Sequence, residues 1–142
     1  MTIAAILSGK GHEVIAIAPE QSVMDAVALL GQRRIGAVPV VKDGAVVGIF
    51  SERDVIHALN NGGVSALEGP VAQAMTAPAI TVGPSDSVLG ALSLMTRRRI
   101  RHLPVVADDR LVGFVSIGDL VKHRMDRIEA DAAAMRDYIQ SA

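Results

Sequence analysis

The chain has no cysteine and no tryptophan, and aromatic residues make up only 2% of its 142 positions. The absence of cysteine excludes disulfides, thiolate metal sites and a cysteine nucleophile, and it fits a reducing cytoplasm. With so few rings, the core has to be built from Val, Ile, Leu, Ala and Met. Net charge is also small, −1 at pH 7, so no global field draws the protein to nucleic acid or to an anionic membrane. Long apolar runs are missing too. Ile3 to Leu7 is too short for a signal peptide's apolar region or a membrane span, and no basic residue precedes it. The expectation is a soluble, cytoplasmic protein with no membrane partner.

The usual marks of catalysis are equally scarce. There is no phosphate-binding P-loop, no G-x-G-x-x-G and no activated nucleophile. His12, His57, His102 and His123 lack ligand spacing such as H-x-x-x-H. No catalytic residue, catalytic cofactor or metal is expected.

What the chain does have is 50% hydrophobic content, enough for a core, with an aliphatic bias that favours an α/β protein with buried strands. It also has an internal repeat, the feature to seek before any other. Val14–His57 lies over Ala79–Lys122 at a constant offset of 65 without a gap, and 17 of the 44 aligned positions are identical. The identities include Pro19/Pro84, Ser22/Ser87, Arg33/Arg98, Arg34/Arg99, Pro39/Pro104, Gly48/Gly113, Ser51/Ser116 and Asp54/Asp119. A match of this density is duplication.

Each copy predicts β-α-β-β-α. Val14–Ile17 and Ala79–Val82 read as short strands ended by Pro19 and Pro84, because proline cannot donate to a ladder. Ser22 and Ser87 read as helix N-caps, followed by apolar residues at helical spacing: Val23, Ala26, Val27, Leu29, Leu30 and Val88, Ala91, Leu92, Leu94, Met95. Ala37–Val41 and His102–Val106 are β-branched and read as strands. Asp43-Gly44 is a strong hairpin signal. Asp108-Asp109 is a weaker one, although Asp tolerates positive φ. The last strand of each copy runs into a corner of pattern G-x-x-S-x-x-D, Gly48-Ser51-Asp54 and Gly113-Ser116-Asp119, and a helix starts there. Short lead segments, Thr2–Leu7 and Val71–Met75, precede the copies as a helical turn or two. The organisation expected is residues 1–63 for the first copy with its lead segment, 64–124 for the second, and 125–142 as a C-terminal helical extension.

That extension carries Val121, Met125, Ile128, Ala132, Met135 and Ile139 at alternating steps of four and three, a seam of almost three heptads. It reads as a helix that packs either on its own domain or against a second subunit.

The two copies resemble a tandem pair of CBS domains, the Bateman pair. The resemblance rests on Met75-Thr76, Ile80-Thr81-Val82-x-Pro84, Ser87-Val88-x-x-Ala91, Arg101-His102-Leu103-Pro104-Val105-Val106 and the Gly113-x-x-Ser116-x-x-Asp119 corner, most of which recurs in the first half. It covers roughly residues 1–125. It implies an α/β (α+β) fold of two β-α-β-β-α repeats related by a pseudo-twofold axis, with two clefts between their sheets. It also implies binding of an adenosyl ligand such as AMP, ADP, ATP, NAD or S-adenosylmethionine, a regulatory role, and a homodimer.

The corner chemistry fits that implication. A helix start offers free N–H groups and partial positive charge to phosphate, and a carboxylate can accept both vicinal ribose hydroxyls. Asp54 and Asp119 are the candidate ribose ligands, although a Ser/Asp capping box alone would also explain them. Ser51, Arg53, Arg101, His102 and Ser116 are the phosphate candidates. Ile15, Ala16, Val38, Pro39, Ile80, Thr81, Leu103 and Pro104 are candidates for adenine pockets, though apolar strand residues often serve only the core. Arg101 and His102 face Gly36 and Ala37 across the repeat, and Arg53 faces Gly118, so the two clefts are unequal; the Asp119 cleft is expected to bind more tightly. Arg33-Arg34 and Arg97–Arg99 fall at helix C-termini, where they suit the helix dipole, and no aromatics interleave them for base stacking. Nucleic acid is therefore not an expected partner. The function expected is a stand-alone nucleotide sensor acting on a partner protein, with AMP first and NAD or ATP as alternatives. A ligand-free oligomerisation scaffold is the competing reading.

Overall fold

The computed structural model describes residues 1–141; Ala142, at the end of the expected C-terminal extension, lies outside them. Six helices are arranged with two hairpins: α1 Ile3–Lys10, α2 Val23–Arg33, β1 Ala37–Lys42, β2 Ala45–Ser51, α3 Glu52–Gly62, α4 Val71–Ala74, α5 Val88–Arg98, β3 His102–Ala107, β4 Arg110–Ser116 and α6 Ile117–Ser141. A 3₁₀ turn, Gly63–Glu68, joins α3 to α4. No helix among the described residues is long and apolar enough to cross a membrane.

The duplication is visible bond by bond. Ser22 Oγ accepts the Asp25 N–H at 3.0 Å, and Ser87 Oγ accepts the Gly90 N–H at 2.9 Å, so both predicted N-caps start their helices. α2 buries Val23, Ala26 and Leu30; α5 buries Val88, Ala91 and Met95. Both helices end on an arginine in the left-handed region, Arg34 at φ 54° and Arg99 at φ 55°. The hairpins β1–β2 and β3–β4 are antiparallel, each with a bulge at the same place, Val40/Val41 and Val105/Val106. Their turns both need two positive φ values. Asp43 and Gly44 supply 54° and 81°, and Asp108 and Asp109 supply 51° and 62°, so aspartate does at the second turn what glycine does at the first.

The predicted strands at Val14–Ile17 and Ala79–Val82 shrink to one bridging residue each. Ile17 pairs in parallel with Val40, and Val82 with Val105. Ile17 donates to the Pro39 carbonyl at 3.1 Å and accepts from Val41 at 2.9 Å. The next rung on one side would need the N–H of Pro39, and the next on the other the N–H of Pro19. Neither proline has one. Pro104 and Pro84 block the equivalent rungs around Val82.

The two hydrophobic cores exchange their lead helices. Ile3, Ile6 and Leu7 of α1 pack with Val88, Met95, Leu103 and Val115 of the second repeat. Val71 of α4 packs with Val23, Val38, Val40 and Phe50 of the first. Glycines make room for this: a Cβ on Gly113 would lie 2.6 Å from Leu7 Cδ2, and one on Gly48 would lie 2.8 Å from the Thr76 carbonyl oxygen. Small halves that cannot enclose a core alone thus lend each other a helix. Replacing Leu7 with Ala, at a site only 2% exposed, is expected to destabilise the whole chain by about 3 kcal/mol in denaturant unfolding. A cost near zero would show that α1 does not belong to that core.

Candidate functional site

A cavity of about 500 Å³ opens between the two repeats. One wall comes from the first corner: Ser51, Glu52, Arg53, Asp54 and, one helical turn on, Ile56 and His57. The other comes from the second repeat: Pro78, Ala79, Ile80 and the run Arg99, Ile100, Arg101, His102. Gly36, Ala37, Ile49 and Thr76 complete it. Three guanidinium groups and two histidines therefore share one cavity with two carboxylates.

The pseudo-twofold axis explains the meeting. Gly36 is the counterpart of Arg101, and Ala37 of His102. The Gly36 carbonyl accepts the Glu52 N–H at 3.0 Å, and the Arg101 carbonyl accepts the Ile117 N–H at 2.8 Å. A Cβ on Gly36 would sit 2.9 Å from Glu52 Oε1 and 3.4 Å from His102 Cε1, so the glycine makes room chiefly for the glutamate side chain and lets the histidine lie in contact. His102 also stacks on Phe114, with ring centroids 5.6 Å apart and planes inclined by 12°. Burial lowers the His102 pKa, and the Lys10 ammonium lowers it further, against Asp119 and Glu52, which raise it. The ring is accordingly held in its neutral form near pH 7.

Asp54 is 7% exposed, the one buried charged residue among those described. Its Oδ2 accepts the Ser51 N–H at 2.9 Å and the Ser51 hydroxyl at 3.2 Å; its Oδ1 accepts the Thr76 hydroxyl at 2.9 Å. The helix cap is thus present at this corner, and Asp54 lines the cavity while forming it. A carboxylate has about four acceptor directions, so capping leaves capacity for a ligand donor.

The Asp119 corner is built alike and finished differently. Ser116 N–H donates to Asp119 Oδ2 at 2.8 Å, and Asp119 N–H donates to Ser116 Oγ at 3.1 Å, a reciprocal capping box. The third donor here is the ammonium of Lys10, at the end of α1. It donates to Asp119 Oδ2 and also, at 2.7 Å, to the Phe114 carbonyl. In the first repeat the equivalent acceptors are Asp54 and the Ile49 carbonyl, and Thr76 serves both, through its hydroxyl and through its N–H at 2.8 Å. One lysine side chain therefore takes the place of Thr76. Burial pushes the Asp119 carboxyl up, but hydrogen bonds from Lys10 and the Ser116 backbone outweigh it and leave the pKa below the ordinary aspartate value.

The structure thus groups the residues differently from the sequence expectation. Arg53, Arg101 and His102 gather with Asp54 and Ser51, whereas Asp119 and Ser116 lie outside the cavity. Of the adenine-pocket candidates only Ile80 lines it. Val38, Pro39, Leu103 and Pro104 are buried, Ile15 packs on the first core, and Ala16 and Thr81 face outward. Glu52, Ile56, Thr76, Ala79 and Arg99 line the cavity without having been candidates. Thr76 had a signal, since its repeat counterpart Gly11 has no hydroxyl. No cluster able to hold a metal occurs among the described residues.

A CBS domain family model matches residues 11–61 and again 71–126. The mitochondrial CBS domain-containing protein CBSX3 of Arabidopsis thaliana is 36% identical over 148 residues, spanning 98% of this chain and 72% of that protein. Among solved structures, the CBS-domain containing protein ATU1752 from Agrobacterium tumefaciens aligns at TM-score 0.83 with 37% identity, over 87% of this chain and 99% of that one. The CBS domain pair of protein MJ0100, in complex with 5-methylthioadenosine and S-adenosyl-L-methionine, aligns at 0.78 with 26% identity, over 89% of this chain and 98% of that one.

The Lys10–Asp119 contact is testable by titration. A carboxyl with a depressed folded pKa contributes stability above its unfolded pKa, and this is lost as the pH falls through the folded value, here from roughly pH 4 downward. Lys10→Met is expected to raise the Asp119 pKa, measured by NMR. The stability cost near neutral pH should stay below about 1 kcal/mol, because the partners are 39% and 28% exposed and solvent screens them. An unchanged pKa would contradict the contact.

Proposed function

The chain belongs to the CBS-domain family, and we propose that it is a cytoplasmic regulatory module that binds one adenine nucleotide, AMP first, in the Asp54 cavity. The observation that carries this reading is the gathering of Asp54, Ser51, Arg53, Arg99, Arg101 and His102 around about 500 Å³. That volume suits a mononucleotide. Asp54 accepts the ribose hydroxyls. The start of α3, with Ser51 and Arg53, and the facing Arg101 and His102 hold the phosphate. An entering phosphate favours protonation of His102 and so gains a cation. Ile80, with Ala79 and Ile56, offers apolar contact to the base. The adenosine-containing ligands in the MJ0100 complex support the adenosyl class. One ribose carboxylate and a small cluster of cations suffice for AMP, which favours it over NAD and ATP.

The module works by binding rather than by turnover. Its cavity has one wall from each repeat, so a ligand that spans it biases how the repeats sit. The size of the signal passed to a partner protein is set by the ligand's differential affinity for two such arrangements.

A thermal-shift panel with AMP, ADP, ATP, NAD and S-adenosylmethionine tests this. AMP at a hundredfold excess over its Kd should stabilise the chain by about 2.7 kcal/mol. The shift should vanish in Asp54→Ala and shrink in Arg101→Ala, yet persist in Asp119→Ala. No shift with any nucleotide would return the chain to the scaffold reading. A shift lost only in Asp119→Ala would move the site to the second corner.

A further inference from the structure

We propose that α6 from Val121 onward is a docking surface for a second copy of this chain, which pairs with it in parallel as a short two-stranded coiled coil. α6 runs for 25 residues and buries only Leu120. Val121, Met125, Ile128, Met135 and Ile139 are between 42% and 66% exposed, and Ala132 is exposed between them. At steps of four and three these residues form one apolar stripe on a helix that the rest of the chain leaves uncovered. A stripe of that period is the seam of a left-handed helix pair.

The flanking charges identify the occupant and its direction. With Met125, Ala132 and Ile139 at position a and Val121, Ile128 and Met135 at position d, the e positions are Lys122, Glu129 and Arg136. The g positions are Arg124, Asp131 and Tyr138. In a parallel pair each g residue faces the e residue five positions further along the partner. Arg124 then meets Glu129, and Asp131 meets Arg136. Both contacts are attractive, and symmetry forms each of them twice. An antiparallel pair that covers the same seam instead sets Lys122 against Arg136, Glu129 against Glu129 and Asp131 against Asp131. A shorter antiparallel overlap restores attraction only by leaving part of the seam uncovered, either Met135 and Ile139 or Val121 and Met125. Arg127 and Asp131, 4.0 Å apart within one helix, leave Arg136 without a pairing partner on its own helix among the described residues, available to the second copy.

The absence of cysteine makes the test clean. Met135→Cys places a thiol on the seam, and Asp137→Cys places one on the opposite face; both positions are exposed, so neither disturbs the core. Under mild oxidation, Met135→Cys is expected to form a covalent dimer and Asp137→Cys to stay monomeric. Adding Glu129→Arg with Asp131→Arg should abolish the Met135 cross-link. Mixing that chain with one carrying Met135→Cys, Arg124→Glu and Arg136→Glu should restore it as a heterodimer. No cross-link at Met135, equal cross-linking at both sites, or a cross-link insensitive to charge reversal would each overturn the proposal.

Discussion

Everything in this molecule turns on a carboxylate that caps a helix and is then offered a third donor. Asp54 and Asp119 each accept the N–H of a serine three residues earlier, which fixes the sharp passage from the last strand of a repeat into the helix that follows. The third donor decides what the corner is for. At Asp54 it is the short hydroxyl of Thr76, which holds the carboxylate without reaching past it, and a cavity remains in front. At Asp119 it is an ammonium on a long stem, which satisfies the charge as well as the geometry. Duplication made two corners of the same shape, and a cation at Lys10 distinguishes them.

The exchange of lead helices is what makes that distinction possible. Because α1 packs on the second repeat and α4 on the first, the residues at the ends of those helices arrive at the corners from outside the aligned repeats and are free to differ. Lys10 and Thr76 are the products of that freedom. The same exchange ties the two repeats into one unit around the cavity between them.

Much of this architecture was legible in the sequence. The offset of 65 revealed the hairpins, both N-caps, the apolar faces of α2 and α5, and the two corners, because each depends on a residue type at a fixed place: Ser22 and Ser87 for the caps, Asp43 and Asp108 for the turns. The lost strands were half legible. Pro19 marked one blocked rung, but Pro39 blocks the other only through a pairing that the chain order does not reveal. The cavity was less legible, for two physical reasons. Hydrophobicity alone does not tell Ile80, which faces the cavity, from Leu103, which is buried at 0% exposure. And the grouping of Arg53 with Arg101 depends on how the repeats face each other, which residue types do not state. Lys10 lies outside the aligned segment, so the repeat gave no reason to set it against Asp119.

The proposal at stake is that a nucleotide binds at the Asp54 corner and not at the Asp119 corner, whose carboxylate pairs with the chain's own Lys10. The most direct measurement is the binding stoichiometry of AMP by equilibrium dialysis on the intact chain. One AMP per chain, unchanged in Asp119→Ala, is the result this account predicts. Two AMP per chain, or a single AMP lost when Asp119 is replaced, would contradict it.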